Sequence, residues 1–185
     1  YHIIEAGAIL RKEAASGSKL GEKIHNIIHV KGELVPDEIT KELIKKEIET
    51  VNNDKKIIVD GYPRTVQQLH DLDEIFEHHN ISNYHVFDIH ISDEEAVRRL
   101  SKRFTCIIEG KADKTIVDEN ICKEKGGIIS RREDDSREKI LKRLQWSHEM
   151  ADPAIDIYEK KGVLTKIDGE QDIESVHQKI IEVIS

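Results

Sequence analysis

The sequence contains few cysteines and no long apolar run, and each scarcity excludes a class of protein. No apolar stretch is long enough to cross a membrane and the first residues do not resemble a signal peptide, so we expect a soluble, cytoplasmic protein. Two cysteines in 185 residues predict, for an intracellular protein, reduced thiols or metal ligands and not a structural disulfide.

The chain has no excess of positive charge, because its 37 acidic residues outnumber its 29 basic ones. The formal net charge is -8 and the pI is about 5.7, which argues against a protein that binds nucleic acid by bulk attraction to phosphate. Lysine is the usual surface cation here, with twenty Lys against nine Arg. Several of the nine arginines occur in motifs discussed below, so any anion recognition is expected to be local.

The chain is long enough for one domain with one sizeable core. Helical and strand patterns alternate along it, which predicts an α/β sheet with crossover helices. The predicted helices cover 8–15, 20–30, 36–51, 65–80, a segment beginning at 92 that carries Arg98, Arg99 and Arg103, 135–150, a segment after Pro153, and 172–183; the predicted strands cover 56–60, 84–91 and 164–167. Residues 105–130 break this rhythm and are interpreted as a small separate lobe.

The most informative segment is the run from Lys55 to Thr65. Its β-branched residues at 57–59 predict a parallel strand buried on both faces. Asp60 then follows at the carboxyl end of that strand, where open α/β sheets bind their ligands. Gly61 allows a close backbone approach, and Arg64 offers a bidentate fork for an oxyanion. The run therefore predicts a phosphate site.

Four segments in order resemble motifs of the adenylate kinase family. Asp60-Gly61-Tyr62-Pro63-Arg64-Thr65 resembles its DG(F/Y)PRT motif, and the segment 131–135, Arg-Arg-Glu-Asp-Asp, resembles its R-x-D-D hinge. Weaker similarities occur at 32–37 and 167–169. The resemblance spans nearly the whole chain. It implies reversible, Mg²⁺-dependent phosphoryl transfer between ATP and AMP by a monomer.

The resemblance also implies a fold, a P-loop-kinase-like parallel sheet flanked by helices. It implies a helical excursion that binds the nucleoside monophosphate at 6–36, a lid lobe at 104–135, and a core at 37–103 and 136–185. A different monophosphate acceptor is the alternative, although the long lobe and Gln68 favour AMP.

Individual positions match functional residues of the family. Those implied to bind AMP are Ala6, Arg11, Glu33, Leu34, Val35, Gly61, Arg64, Gln68, Arg132 and Arg143. Those implied to bind ATP are Arg99, Arg103, Gly169 and Gln171. Those implied to take part in catalysis are Asp60, Arg64, Arg103, Arg132, Asp134 and Arg143.

The implied roles differ among these residues. Gln68 matches the side chain that reads the AMP base, and Asp60 matches an acid that holds Mg²⁺ through water. Arg132 and Arg143 match the pair that closes over the transferring phosphoryl group, and Asp134 matches an acid that positions them. By contrast, Arg98, Arg131 and Arg137 are interpreted as solvated surface residues.

The largest departure from the family is the missing phosphate loop. No G-x-x-x-x-G-K-[ST] occurs in the 185 residues, so the N–H cradle and the Lys for the β and γ phosphates are missing. We expect a fragment of a longer gene product that does not turn over ATP alone and whose sheet has a gap in place of the family's first strand.

Smaller departures affect the AMP pocket. Ala6 and Ala8 replace a hydroxyl residue and an Asp of the family, which predicts weaker AMP binding. The helix between Leu20 and Gly32 is one residue longer than is usual in the family.

The lobe keeps only one cysteine of each C-x-x-C pair found in zinc-binding relatives. Cys106 and Cys122 with Glu109, and Asp118 or water as the fourth ligand, form one possible zinc site. The reading we favour has no zinc. In that reading an ion pair between Glu109 and Lys125 holds the lobe.

Two other functions stay open. One is a non-catalytic AMP-binding or regulatory module that never had the loop. The other is a structural role, in which the arginines form ion pairs with the chain's excess of acidic residues.

Overall fold

The computed structural model describes residues 1–31, 33–51, 56–113, 118–131 and 136–185. The described residues form two compact units, one of Tyr1–His90 with Gln145–Ser185 and the other of Ile91–Leu144. No described helix is both long and apolar enough to cross a membrane.

Four parallel strands of the first unit form two separate pairs. Strand β1 (His2–Glu5) pairs in register with β2 (Ile57–Asp60), and β3 (Val86–His90) pairs with β7 (Leu164–Asp168). Within the described residues no backbone ladder joins β2 to β3. The α/β fold class with parallel strands and flanking helices is confirmed.

Three of the six helices of the first unit begin at a residue whose side chain caps them. Thr65 accepts a hydrogen bond from the Gln68 backbone N–H at 3.0 Å, and Ser18 and Asp172 act in the same way on their own helices. The helices are α1 (Ala6–Ala14), α2 (Lys19–His25), α3 (Asp37–Glu49), α4 (Val66–His78), α8 (Asp152–Lys160) and α9 (Ile173–Ile184).

Helix α4 supplies buried residues to two parts of the core. Leu72 and Ile75 pack in a cluster with Ile4 of β1, while Leu69 packs with Tyr158 of α8. Leu69 is fully buried, a contribution of roughly 1.5–3 kcal/mol. The helical spacing of leucines and isoleucines predicted this helix, and its two apolar faces link the cores beneath the two strand pairs.

A π-helix (Asn26–Lys31) continues directly from α2. The sequence predicted one α-helix over 20–30, so the prediction of a helix is confirmed but its type is wrong. A π-helix closes i→i+5 hydrogen bonds and holds about one more residue per turn than an α-helix. This geometry accommodates an additional residue between the anchored neighbours Ile24 and Val35, which pack in one cluster.

The second unit contains a three-stranded antiparallel sheet in the order β5-β4-β6 and a helix after β3. Its elements are α5 (Asp93–Lys102), β4 (Thr105–Ile108), β5 (Lys111–Asp113), α6 (Glu119–Glu124) and β6 (Ile128–Ser130). Helix α5 ends at Lys102, so Arg103 caps this helix and does not lie within it as predicted.

Helix α7 (Arg137–Trp146) spans the boundary between the units in sequence, and a second π-helix (Ser147–Ala151) follows it. The predicted division into an excursion, a lobe and a core remains a prediction.

Candidate functional site

The carboxyl ends of the parallel strands carry polar side chains. Glu5 and Asp60 are register partners at the ends of β1 and β2, and His90 and Asp168 are partners at the ends of β3 and β7. Asp60 is exposed. Since parallel α/β sheets bind ligands at this edge, the position predicted for Asp60 is confirmed as a strand end open to solvent.

Arg64 lies over the turn that follows β2. Gly61 has a positive φ of 73°, and its carbonyl accepts a hydrogen bond from Arg64 Nε at 2.9 Å. A Cβ on Gly61 would lie 3.0 Å from an Arg64 guanidinium nitrogen. The turn therefore needs glycine both for its backbone angle and for the space that the guanidinium occupies.

Arg11 occupies a comparable position after β1. A Cβ on Gly7, in the first turn of α1, would lie 3.0 Å from Arg11 Nη1. Thus each of two neighbouring parallel strands is followed by a glycine with a guanidinium over it. Guanidinium forks bind phosphate oxygens in a bidentate manner, so this edge of the first unit is suited to an anion.

Gln68 is buried and fixed by its neighbours. Its Oε1 accepts a hydrogen bond from the Arg64 backbone N–H at 2.7 Å, and its Nε2 donates one to Asp37 Oδ1 at 2.7 Å. Asp37 Oδ2 also accepts a hydrogen bond from Thr65 Oγ1 at 2.9 Å. Sequence reasoning identified Gln68 but missed Asp37, whose partners lie 28 and 31 residues away.

The backbone segment 33–35 follows the first π-helix. The Glu33 N–H donates to the Ile27 carbonyl at 3.0 Å, and Val35 is buried in a cluster with Ile24 and Ile27. Leu34 is exposed. Buried Val35 anchors this segment, so its backbone has a defined position next to α3.

Tyr62, the residue between Gly61 and Pro63, carries a buried hydroxyl. The hydroxyl has no hydrogen-bond partner among the described residues, and the side chain is 5% exposed. Burial, followed by the negative charges of Asp71 and Asp37, raises the pKa of Tyr62. The phenol is therefore neutral at all physiological pH values.

The turn after β7 carries two of the predicted ATP-binding residues. The Gly169 N–H donates to the His90 carbonyl at 2.7 Å, and Gln171 Nε2 donates to Asp168 Oδ2 at 3.1 Å. A hydrogen bond from the Glu170 backbone N–H, followed by one from the Gln171 side chain, holds the pKa of Asp168 below its usual value. The turn is thus tied to the end of β3.

The other predicted arginines divide between the second unit and undescribed positions. Arg99 donates to Glu95 Oε1 at 2.6 Å, and Arg98 binds the same carboxylate. Arg103 follows α5, and Arg143 lies in α7. Arg132 and Asp134 lie outside the described residues. Arg98 and Arg99 therefore form the kind of surface ion pair that the structural alternative predicted.

The expectation of reduced thiols is wrong, because Cys106 and Cys122 form a disulfide. Both sulfurs are buried, and a Cβ on Gly127 would lie 2.5 Å from Cys106 Sγ. The bond joins β4 to α6. Reduced thiols were predicted from an assumed intracellular location alone. That prediction failed because folding brings together two cysteines that are 16 residues apart. Disulfide sulfurs are not thiolate ligands, so a zinc site on them would require their reduction.

The ion pair predicted between Glu109 and Lys125 is absent from the described part of the lobe, where both residues are exposed. Glu109 instead forms the β4–β5 turn with a positive φ of 51°, next to Gly110 at 77°. Asp118 caps α6 by accepting N–H bonds from residues 120 and 121. The disulfide, not this ion pair, links the parts of the lobe.

No group of three or more metal-ligating side chains occurs within the described residues. The chemistry at the strand ends nevertheless suits the Mg²⁺ that the resemblance implies. Carboxylates are hard oxygen ligands, and Mg²⁺ usually keeps several waters with only one or two carboxylates. Exposed Asp60 fits such a water-mediated role.

Comparison with known proteins places the chain among nucleotide kinases. The sequence pattern described as "Adenylate kinase" matches residues 1–163. Among curated relatives, an adenylate kinase of Acetivibrio thermocellus is 33% identical over 98% of this chain and 85% of its own length. Another from Archaeoglobus fulgidus is 35% identical over 98% and 85%, and one from Staphylococcus aureus is 32% identical over 98% and 86%.

These similarities cover almost the whole chain and agree with the parallel strands, the capped helices and the Asp60–Thr65 turn of the structure. The chain belongs to the adenylate kinase family, a family of phosphotransferases.

Proposed function

We propose that the protein catalyses, or forms the acceptor half of a site that catalyses, reversible phosphoryl transfer between ATP and AMP. The observation that carries the proposal is the pair of guanidinium groups over Gly7 and Gly61, at the ends of two adjacent parallel strands. A buried amide, that of Gln68, follows on α4 within four residues of Arg64. The segment from Arg64 to Gln68 thus offers a guanidinium group for the phosphate and an amide for the base.

The chemistry requires positioning more than covalent help. Charge develops on the equatorial oxygens of the transferring phosphoryl group, and arginine forks neutralise it. In this proposal Arg11 and Arg64 bind the AMP phosphate, with Ala6, Gly61 and the backbone of 33–35 lining the pocket. Arg132 and Arg143 act on the transferring group, and Asp134 positions them.

The ATP side of the proposal uses the four residues that the resemblance implied to bind ATP. Arg103 binds phosphate and Arg99 contacts the base, for which it exchanges its present partner Glu95. Gly169 and Gln171 contact the adenine through their backbone, which their bonds to the end of β3 and to Asp168 hold in place. Asp60 holds the Mg²⁺ of the substrate complex through water.

The second candidate is a non-catalytic AMP-binding module, which would use the same guanidinium pair and buried amide. These 185 residues contain no Gly-rich phosphate loop, the element that supplies an N–H cradle for the β and γ phosphates in P-loop proteins. We therefore expect the chain as given to bind AMP without turning over ATP. A non-catalytic AMP-binding module would show the same behaviour.

One experiment separates the two candidates. ADP formation from ATP, AMP and Mg²⁺ is measured for the 185-residue chain and for the same chain joined to the strand and Gly-rich loop that the family resemblance implies. The kinase proposal expects turnover only in the joined protein, abolished by Arg64→Ala. AMP binding by both proteins with turnover by neither would support the module instead.

We also propose that the protein is a monomer of the cytoplasm. The absence of a membrane-crossing helix among the described residues is compatible with this location. Light scattering of the purified protein should give the mass of one chain.

A further inference from the structure

The Gln68 amide is held between two groups of opposite hydrogen-bonding character. A backbone N–H can only donate, and it meets Oε1 at 2.7 Å. A carboxylate can only accept, and that of Asp37 meets Nε2 at 2.7 Å. Rotating the amide by 180° would place its NH₂ group against the Arg64 backbone N–H and its oxygen against the Asp37 carboxylate. The orientation is therefore fixed by the network, and Gln68 is only 7% exposed.

Asp37 is itself held from two sides. Its second oxygen accepts from Thr65 Oγ1 at 2.9 Å, and the same Oγ1 accepts the Gln68 backbone N–H at 3.0 Å. Asp37 is the first residue of α3, where a negative charge is favourable to the helix dipole. The three side chains form a closed ring that links the start of α3 to the start of α4.

The fixed amide keeps one hydrogen on Nε2 and one lone pair on Oε1 for a ligand. A 6-aminopurine presents an acceptor at N1 and a donor at N6, and an amide in one orientation pairs with both. A 6-oxopurine presents a donor at N1 and an acceptor at O6, so it requires the opposite orientation. An amide free to rotate would accept either base, whereas a fixed amide leaves the wrong base with unpaired buried groups.

We propose that Asp37 is a positioning residue that determines specificity, because it fixes the Gln68 amide in the orientation that accepts a 6-amino and rejects a 6-oxo purine monophosphate. The inference rests on the proposed function, since it takes Gln68 to contact the base of bound AMP. It assigns to Asp37 a role through Gln68 and not a contact with the nucleotide.

The test compares the affinities of AMP and IMP, which differ at the 6-position, by isothermal titration calorimetry. In Asp37→Asn the new side chain can donate as well as accept, so only the Arg64 backbone N–H still opposes reversal of the Gln68 amide. We expect the preference for AMP over IMP to fall by about tenfold, the lower end of the discrimination typical of one bidentate pair. Most of the change should be a gain in IMP affinity.

The chain offers a matched control in Asp71→Asn. Asp71 is a buried carboxylate that, like the half-buried Asp37, joins α3 to α4, in its case through an ion pair with Lys41 at 3.1 Å, but it binds Gln67 and not Gln68. A loss of stability alone should therefore appear in both variants, and a change of preference only in Asp37→Asn. Should Asp37→Asn not fold, Asp37→Ser provides a hydroxyl that also donates and accepts, with the same expectation.

The outcomes distinguish this inference from the proposed function. If the unaltered protein prefers AMP and the Asp37 variant keeps that preference, Asp37 is only a structural link and the inference is wrong. If the unaltered protein binds neither nucleotide, the proposed function fails and the inference falls with it. A preference lost in the Asp37 variant and kept in the Asp71 variant supports both.

Discussion

At the scale of single residues, two glycines with the same backbone angle differ in what surrounds them. Gly61 has φ +73° and an Arg64 nitrogen 3.0 Å from its Cβ position, while Gly162 has φ +72° and no atom within 4 Å. Substitution by Ala should cost each protein roughly 1 kcal/mol of stability from the backbone alone. Gly61→Ala must in addition displace the Arg64 guanidinium.

The pair therefore separates folding from binding. We expect similar losses of stability in urea, with AMP affinity reduced at least several-fold in Gly61→Ala and unchanged in Gly162→Ala. Equal AMP affinity in the two variants would show that the position of Arg64 over the turn has no role in binding.

A second residue-scale prediction concerns the hydroxyl of Tyr62. Since this buried group lacks a hydrogen-bond partner among the described residues, Tyr62→Phe should leave stability unchanged or raise it by about 1 kcal/mol. Tyr84→Phe is the control, because the Tyr84 hydroxyl donates to Asp73 at 3.4 Å. A large loss in urea stability for Tyr62→Phe would reveal a partner for its hydroxyl.

The sequence predicted residues whose role depends on their neighbours in the chain. Asp60, Gly61 and Arg64 follow one another after a strand, so the strand end and the turn sufficed to place them. Asp37 was missed because its hydrogen bonds cross from α3 to α4. The cysteines were misread because their pairing depends on the folded lobe and not on their spacing.

At the scale of elements, the disulfide should carry much of the stability of the lobe that contains β4 and α6. By closing a loop of this length, the disulfide restricts the unfolded chain and so adds about 3 kcal/mol to the free energy of unfolding. Reduction should therefore accelerate amide hydrogen exchange in β4 and α6. In Cys106→Ser/Cys122→Ser the reductant should have no further effect. Two titratable thiols in the folded, unreduced protein would contradict this account.

Helix α5 gives a prediction for pH. Hydrogen bonds from Arg98, and then from Arg99, lower the pKa of Glu95 from 4.5 to about 2. Because the pKa is lower in the folded state, the stabilisation from this carboxylate is fully present above 4.5 and is lost as the pH falls through about 2.

The measurement is the ¹³C carboxyl shift of Glu95 during an acid titration. The midpoint should lie well below 4.5 and move towards it in Arg98→Ala or in high salt, which screens exposed charges. A midpoint near 4.5 in the unaltered protein would mean that the two guanidinium groups are not held at this carboxylate in solution.

The longer elements were predictable and the shorter ones were not. Apolar spacing predicted α4, and Pro36 with its following acids predicted α3. Strand β1 (His2–Glu5) was missed because only two of its four residues are apolar, whereas three of the four residues of β2 are. The two π-helices were read as α-helix because a change from i→i+4 to i→i+5 bonding leaves the apolar spacing nearly unaltered.

At the scale of the whole molecule, the first unit joins two strand pairs through one helix. Residues of α4 contribute to the cores beneath both pairs. Gln68 lies in the first turn of the same helix, after its capping residue Thr65. The helix that connects the two cores therefore also fixes the candidate base-reading amide. The sequence predicted the helix and the resemblance implied the role of Gln68, whereas the ring of hydrogen bonds around the amide is visible only in the structure.

The most direct test of the account is an AMP titration of the protein by calorimetry, beside Arg64→Ala and Arg98→Ala. Arg98 is the matched control, because it is an exposed arginine that binds Glu95. The account predicts one AMP site, a loss of affinity of about tenfold or more in Arg64→Ala, unchanged affinity in Arg98→Ala, and unchanged melting temperatures in both. AMP binding that is absent from the unaltered protein, or equal in all three, would contradict it.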